Sequence, residues 1–161
     1  MFQEINAMKS TIHEDRLTIY KILSRKYLLL LFCLPMFWAC DDSNFNNRNP
    51  NIPNYSFSEQ VNLSLPGYSR LTHPGNGVYY PGGSLNGIII FNTGSGYVAF
   101  DAACPNQPLA SCSTMSISGI NAICQCDDAE YSLFTGQSPG KEYPMKQYRV
   151  EVNGSMLRVY N

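Results

Sequence analysis

Apolar residues in the C-terminal two thirds of this chain come in short runs, and no eleven-residue window keeps them in step with a helical turn. The runs are Val61–Leu65, Gly77–Tyr80, Gly87–Asn92, Tyr97–Ala102, Met115–Ile117, Asn121–Cys124, Gln147–Val152 and Met156–Tyr160. Pro66-Gly67, Pro74-Gly75, Pro81-Gly82-Gly83, Thr93-Gly94-Ser95-Gly96 and Asn153-Gly154 cut them apart. β-branched and aromatic runs with turn residues between them predict an all-β antiparallel sandwich or barrel. Tyr148–Glu151, Asn153-Gly154 and Met156–Tyr160 read as a closing hairpin with an Asn-Gly turn. Gly87–Phe91 is continuously apolar rather than alternating, which predicts a strand buried on both faces.

The chain has 161 residues, and its N-terminal part has a different character. Lys21, Arg25 and Lys26 precede the apolar run Tyr27–Trp38, too short to span a bilayer but suited to a secretory signal. The run ends at Ala39-Cys40, followed by Asp41-Asp42-Ser43-Asn44. A small residue before a cysteine at this place resembles a bacterial lipobox, which implies acylation of Cys40 as the mature N-terminus. The basic region before the run is long, so Met8 is a second candidate start. Residues 41–56 are rich in Asn and Pro and lack apolar periodicity, the composition of a flexible tether. The division expected is therefore a signal peptide over 1–39, a tether over 40–56 beginning at the lipid site, and a β domain over 57–161.

Beyond Cys40 six Lys and Arg stand against nine Asp and Glu, a net charge of −3. That leaves no basic stripe to neutralise phosphates, so nucleic acid is not an expected partner. Export implies an oxidising compartment in which disulfides persist. Setting aside Cys33 and Cys40, the cysteines are Cys104, Cys112, Cys124 and Cys126, which allow three pairings.

Two segments carry those cysteines in an informative context. A strand and glycine turn, Gly87–Gly96, lead into Tyr97–Pro105 and so to Cys104-Pro105-Asn106, and Cys124-Gln125-Cys126-Asp127 is followed by Ser132–Gly136 and Tyr143–Val150. In order and texture this stretch, Gly87 to Asn161, resembles the Rieske iron–sulfur family. The resemblance implies a small β domain with two cluster-binding loops at one tip. In that family two cysteines hold one iron of a 2Fe–2S centre and two histidines the other. Cys104 and Cys124 match the cysteine positions, whereas Asn106 and Asp127 stand where the histidines belong. The only histidines of the chain are His13 and His73, and neither lies in these segments. An amide oxygen is a feeble ligand for iron, and a carboxylate would add charge and lower the potential. The resemblance thus implies former ligand positions without a cluster. Some family members bridge the two loops by a disulfide; carried over, this implies Cys112 with Cys126, leaving Cys104 and Cys124 free to form a second bridge.

Other chemistries fit less well. Structural zinc favours Cys-x2–4-Cys pairs, which are absent here. A redox dithiol favours Cys-x-x-Cys, and Cys124-Gln125-Cys126 is not one. Asp127, Asp128 and Glu130 lack the ligand ladder of a calcium loop. No Gly-x-Ser-x-Gly elbow or His-Glu-x-x-His motif marks a hydrolase. The expectation is a non-enzymatic, lipid-anchored protein of the bacterial cell envelope, at the outer membrane and facing the periplasm or the surface. It would attach to the membrane through the lipid, meet a protein partner with an acidic tip, and hold no cofactor. The alternative is an electron-transfer protein that keeps a 2Fe–2S cluster through Cys104, Cys124, Asp127 and another ligand.

Overall fold

A computed structural model describes residues 48–161. The expected signal segment, the acylation site Cys40 and the first part of the tether lie outside the described residues.

The described chain is almost entirely β, as its punctuation predicts. Nine strands run Ser58–Asn62 (β1), Gly77–Tyr80 (β2), Ile88–Asn92 (β3), Tyr97–Asp101 (β4), Ser116–Ser118 (β5), Asn121–Ile123 (β6), Glu130–Ser132 (β7), Gln147–Asn153 (β8) and Met156–Tyr160 (β9). One 3₁₀ turn, Ser69–Thr72, is the helical element among the described residues. Six strands form an antiparallel sheet in the order β1-β9-β8-β4-β3-β2, and β5-β6-β7 form a second, smaller sheet.

Strand β3 shows why a continuous apolar run belongs where it does. All five of its residues are buried. Ile88 and Ile90 point into a core shared with Val61, Leu71, Ala99, Tyr148, Leu157 and Val159, formed by the curled large sheet. Ile89 and Phe91 point the other way, into a core shared with Phe100, Met115, Ala122, Tyr131 and Leu133 under the small sheet. Each such side chain contributes about 2 kcal/mol relative to an exposed position. Alternation fails in β3 because both of its faces are interior.

The structure moves some expected boundaries. The first strand begins at Ser58, not Val61, because Ser58, Glu59 and Gln60 pair with Tyr160, Val159 and Arg158. The closing hairpin is present, but Asn153 still pairs with Met156, so Gly154 and Ser155 make the turn. Gly154, at φ +60°, takes the first central position, where a II′ turn needs a positive φ. Strand β7 had no apolar run to announce it; Tyr131 is its one buried residue.

The described end of the expected tether, 48–56, lies against the domain. Ile52 is only 4% exposed. The Asn49 and Asn51 side-chain amides both donate to the carbonyl of Pro105, each at 2.9 Å. Lys146 donates from Nζ to the Pro53 carbonyl at 2.8 Å and to Asn54 Oδ1 at 2.9 Å.

Candidate functional site at the cysteine loops

The first cysteine loop leaves β4 at Asp101 and re-enters the small sheet at β5. Backbone pairing of Ala103 with Thr114 closes its neck, and Ser113 Oγ ties its far side to the Pro108 carbonyl and the Ala110 N–H. The second loop joins β6 to β7. Here Asp127 Oδ1 accepts from the N–H of Ala129, and Asp128 takes the left-handed conformation at φ 54°. Aspartate suits both positions, since its short carboxylate satisfies the backbone two residues on and tolerates positive φ. Cys124 N–H donates to the Ala129 carbonyl across the neck of this loop.

Four cysteines join the two loops. Cys104 pairs with Cys124, with Cα atoms 5.5 Å apart, and Cys112 pairs with Cys126 at 5.1 Å. Cys104 and Cys124 are completely buried, while Cys112 and Cys126 retain partial exposure. The sulfurs of Cys104, Cys124 and Cys126 all lie within 4.8 Å of one another.

Asn106 and Asp127 both stand beside these bridges, each fully engaged within the protein. Asn106 Nδ2 donates to the Tyr131 hydroxyl at 2.9 Å and to the Tyr143 carbonyl at 2.7 Å. Its Oδ1 accepts from the Tyr143 N–H at 3.0 Å. The amide thus pairs with both backbone groups of Tyr143 as another peptide would, and adds a bond to the phenol. Imidazole could not reproduce this, because its two nitrogens cannot meet one residue's N–H and C=O side by side. Asp127 Oδ2 accepts from Lys141 Nζ at 2.7 Å and from Gln107 Nε2 at 3.0 Å. The Lys141 ammonium holds the Asp127 carboxyl below the usual carboxylate range; partial burial opposes this, and the Gln107 and Ala129 hydrogen bonds reinforce it. Lys141 is raised in return. Burial pushes the Tyr131 phenol up, against the Asn106 hydrogen bond.

This donor set does not fit a 2Fe–2S cluster. The two cysteines that would ligate are joined to each other, one would-be ligand is an amide committed at both ends, and the other is a carboxylate neutralised by lysine. Of the acidic trio, Asp128 and Glu130 are exposed, whereas the Asp127 side chain is only 17% exposed. Glu130 accepts from Asn121 Nδ2 at 3.1 Å. His73 is exposed at the end of the 3₁₀ turn, 3.0 Å from Thr72 Oγ1.

The residues that knit the loops together, Gln107, Tyr131, Lys141 and Tyr143, were not visible as a set in the sequence. Asn106 and Tyr143 are 37 positions apart, and no local spacing marks the pair.

No family model and no curated protein matches the chain. Among solved structures, a chain of the complex of reduced oxygenase and oxidized ferredoxin in carbazole 1,9a-dioxygenase is 20% identical, with 64% of this chain and 92% of that chain covered at a TM-score of 0.44. The Sphingomonas yanoikuyae B1 ferredoxin is 15% identical, with 55% and 88% covered, at 0.41. The ferredoxin of carbazole 1,9a-dioxygenase from Nocardioides aromaticivorans IC177 is also 15% identical, with 63% and 96% covered, at 0.41. The all-β architecture stands on its own strand pairing.

Proposed function

We propose that this chain is a Rieske-like domain without its iron–sulfur cluster, displayed from the bacterial envelope on a lipid at Cys40 and serving as a structural or interaction module. The observation that carries this reading is the Asn106 amide. Its bonds to Tyr131 and Tyr143 hold the first cysteine loop to the rest of the tip, at the position where the resemblance expects an imidazole ligand. The Cys104–Cys124 bridge supports the same reading, since thiols joined to each other are not free to bind metal. Such a tip is a rigid scaffold that presents Asp128 and Glu130 to a protein partner. With its cysteines bridged, it offers no thiolate for catalysis.

A second reading, electron transfer through a 2Fe–2S centre, draws on the clustering of three sulfurs within 4.8 Å. Reduction of both bridges would free four thiols there. Iron analysis, visible absorption and thiol counting on natively exported protein separate the two. A colourless product with no free thiols among these four supports the scaffold; about two irons per chain with visible absorption overturns it. Protease accessibility on intact cells and acyl labelling that depends on Cys40 test the display.

A further inference from the structure

A groove of about 820 Å³ runs between the N-terminal segment 48–54 and strand β8, and its cationic residues are not among those that hold the cysteine loops. Arg48, Lys146 and Arg149 all line it, and no Asp or Glu does. This is uneven for the described chain, which carries six Lys and Arg against seven Asp and Glu. Lys141 and Arg158 have ion-pair partners, Asp127 and Glu151. Arg48, Lys146 and Arg149 have none among the described residues.

Lys146 is the unusual member. It is 2% exposed, and its ammonium is held by two neutral oxygens, the Pro53 carbonyl and Asn54 Oδ1. An ammonium can donate three hydrogen bonds. The nearby Asp101 carboxylate is spent on the Tyr148 hydroxyl and the Ala103 N–H. The Asp101 carboxylate offsets part of the ammonium's burial without contacting it, and an anion seated directly beside the ammonium would offset more. Two exposed guanidiniums on the same groove offer planar forks that match oxyanions.

We infer that this groove binds a phosphate-bearing ligand, with Arg48 and Arg149 clamping the phosphate and Lys146 supplying the buried charge. Phosphate suits the site better than a carboxylate, because the two guanidiniums, without ion pairs among the described residues, and the Lys146 ammonium together favour more than one negative charge. The groove is far larger than a bare phosphate, so the ligand has a polar body beyond it. A free phosphorylated compound and a lipid headgroup share this chemistry. The inference stands whether or not the cysteine loops hold iron.

The test uses the exported chain carrying Cys40→Ser, titrated with inorganic phosphate and, separately, mixed with vesicles of phosphatidylglycerol or of phosphatidylcholine alone. Saturable binding is expected, followed by chemical shifts around Lys146 and Arg149. Arg48→Gln or Arg149→Gln should each weaken it about tenfold, the loss of one charge-assisted contact, with thermal unfolding unchanged because both side chains are exposed. Vesicle binding that requires phosphatidylglycerol and is lost in the same variants assigns a headgroup; saturation by phosphate without vesicle binding assigns a free compound. The inference is overturned if neither phosphate below about 10 mM nor vesicles bind, or if binding survives in the double variant.

Discussion

Asn106 donates an amide hydrogen to the hydroxyl of Tyr131 at 2.9 Å, joining the first cysteine loop to strand β7 across 25 positions of sequence. With the two bonds to Tyr143, one side chain holds three parts of the tip together. Asn106→Ala should lower stability by about 2–3 kcal/mol, from the lost bonds and the partly buried groups left unpaired. Urea unfolding measures this, and disulfide mapping should find both bridges still present. A loss under half a kilocalorie would mean that the amide is not the clasp described.

The two bridges differ in access. A dilute thiol reductant should open Cys112–Cys126 first, since those residues are partly exposed, and reach the fully buried Cys104–Cys124 only after local opening. Alkylation with mass mapping over time reads the order. Replacing either pair by alanine should cost about 3 kcal/mol in the chain-entropy model.

Acid should weaken the tip through Asp127. Its carboxyl is lowered in the folded state, so its contribution is complete above the unfolded aspartate value of about 4 and is lost as pH falls through the folded value. Asp127→Asn should flatten the acid limb of a stability–pH curve, and salt should shrink the difference. The alkaline limb is mixed. Lys141, raised by Asp127, loses its contribution as pH climbs above the unfolded lysine value, whereas Lys146, lowered by burial, makes folding more favourable as it sheds its proton.

Tyr148 donates to Asp101 Oδ2 at 2.6 Å in the interior, and burial with the adjacent carboxylate pushes its phenol well above the usual range. Ultraviolet titration should find Tyr148 still protonated where exposed tyrosines ionise. Tyr148→Phe should cost about 1.5–3 kcal/mol by stripping a partner from a buried carboxylate.

Two glycines at positive φ should respond differently to alanine. At Gly87, φ +78°, a methyl group would sit 2.6 Å from the Tyr80 carbonyl oxygen. At Gly154, φ +60°, nothing lies within 4 Å. Gly154→Ala should cost about 1 kcal/mol from backbone strain alone, and Gly87→Ala about 3 kcal/mol or more. Equal losses would show that the close approach at Gly87 is readily relieved.

Much of the fold was legible because β strands announce themselves locally. Gly77–Tyr80, Tyr97–Asp101 and the Met156–Tyr160 hairpin arm lie where apolar runs and turn residues put them, and the unbroken isoleucines of β3 foretold its two buried faces. Strand β7 escaped notice because Glu130 and Ser132 are polar and only Tyr131 turns inward. At the site, the cysteines were readable in the sequence, and the resemblance singled out Asn106 and Asp127. What those two side chains bind was not, since Tyr143 reaches Asn106, and Lys141 and Gln107 reach Asp127, from distant positions along the chain. Nor did the asparagine-rich segment advertise its seat on Pro105 and Lys146, which depends on single hydrogen bonds rather than on any repeating pattern.

Strands β1 and β9 are neighbours, and Asn161 reaches back to Asn54 and Tyr55. Such a topology lends itself to cyclic rewiring: a short peptide could splice position 161 to position 57, with fresh ends cut at the exposed Gly119 turn. A permutant of this kind would keep all four cysteines while removing Asn49 and Asn51 from the Pro105 carbonyl, so it would show how far that segment steadies the loop beside Cys104.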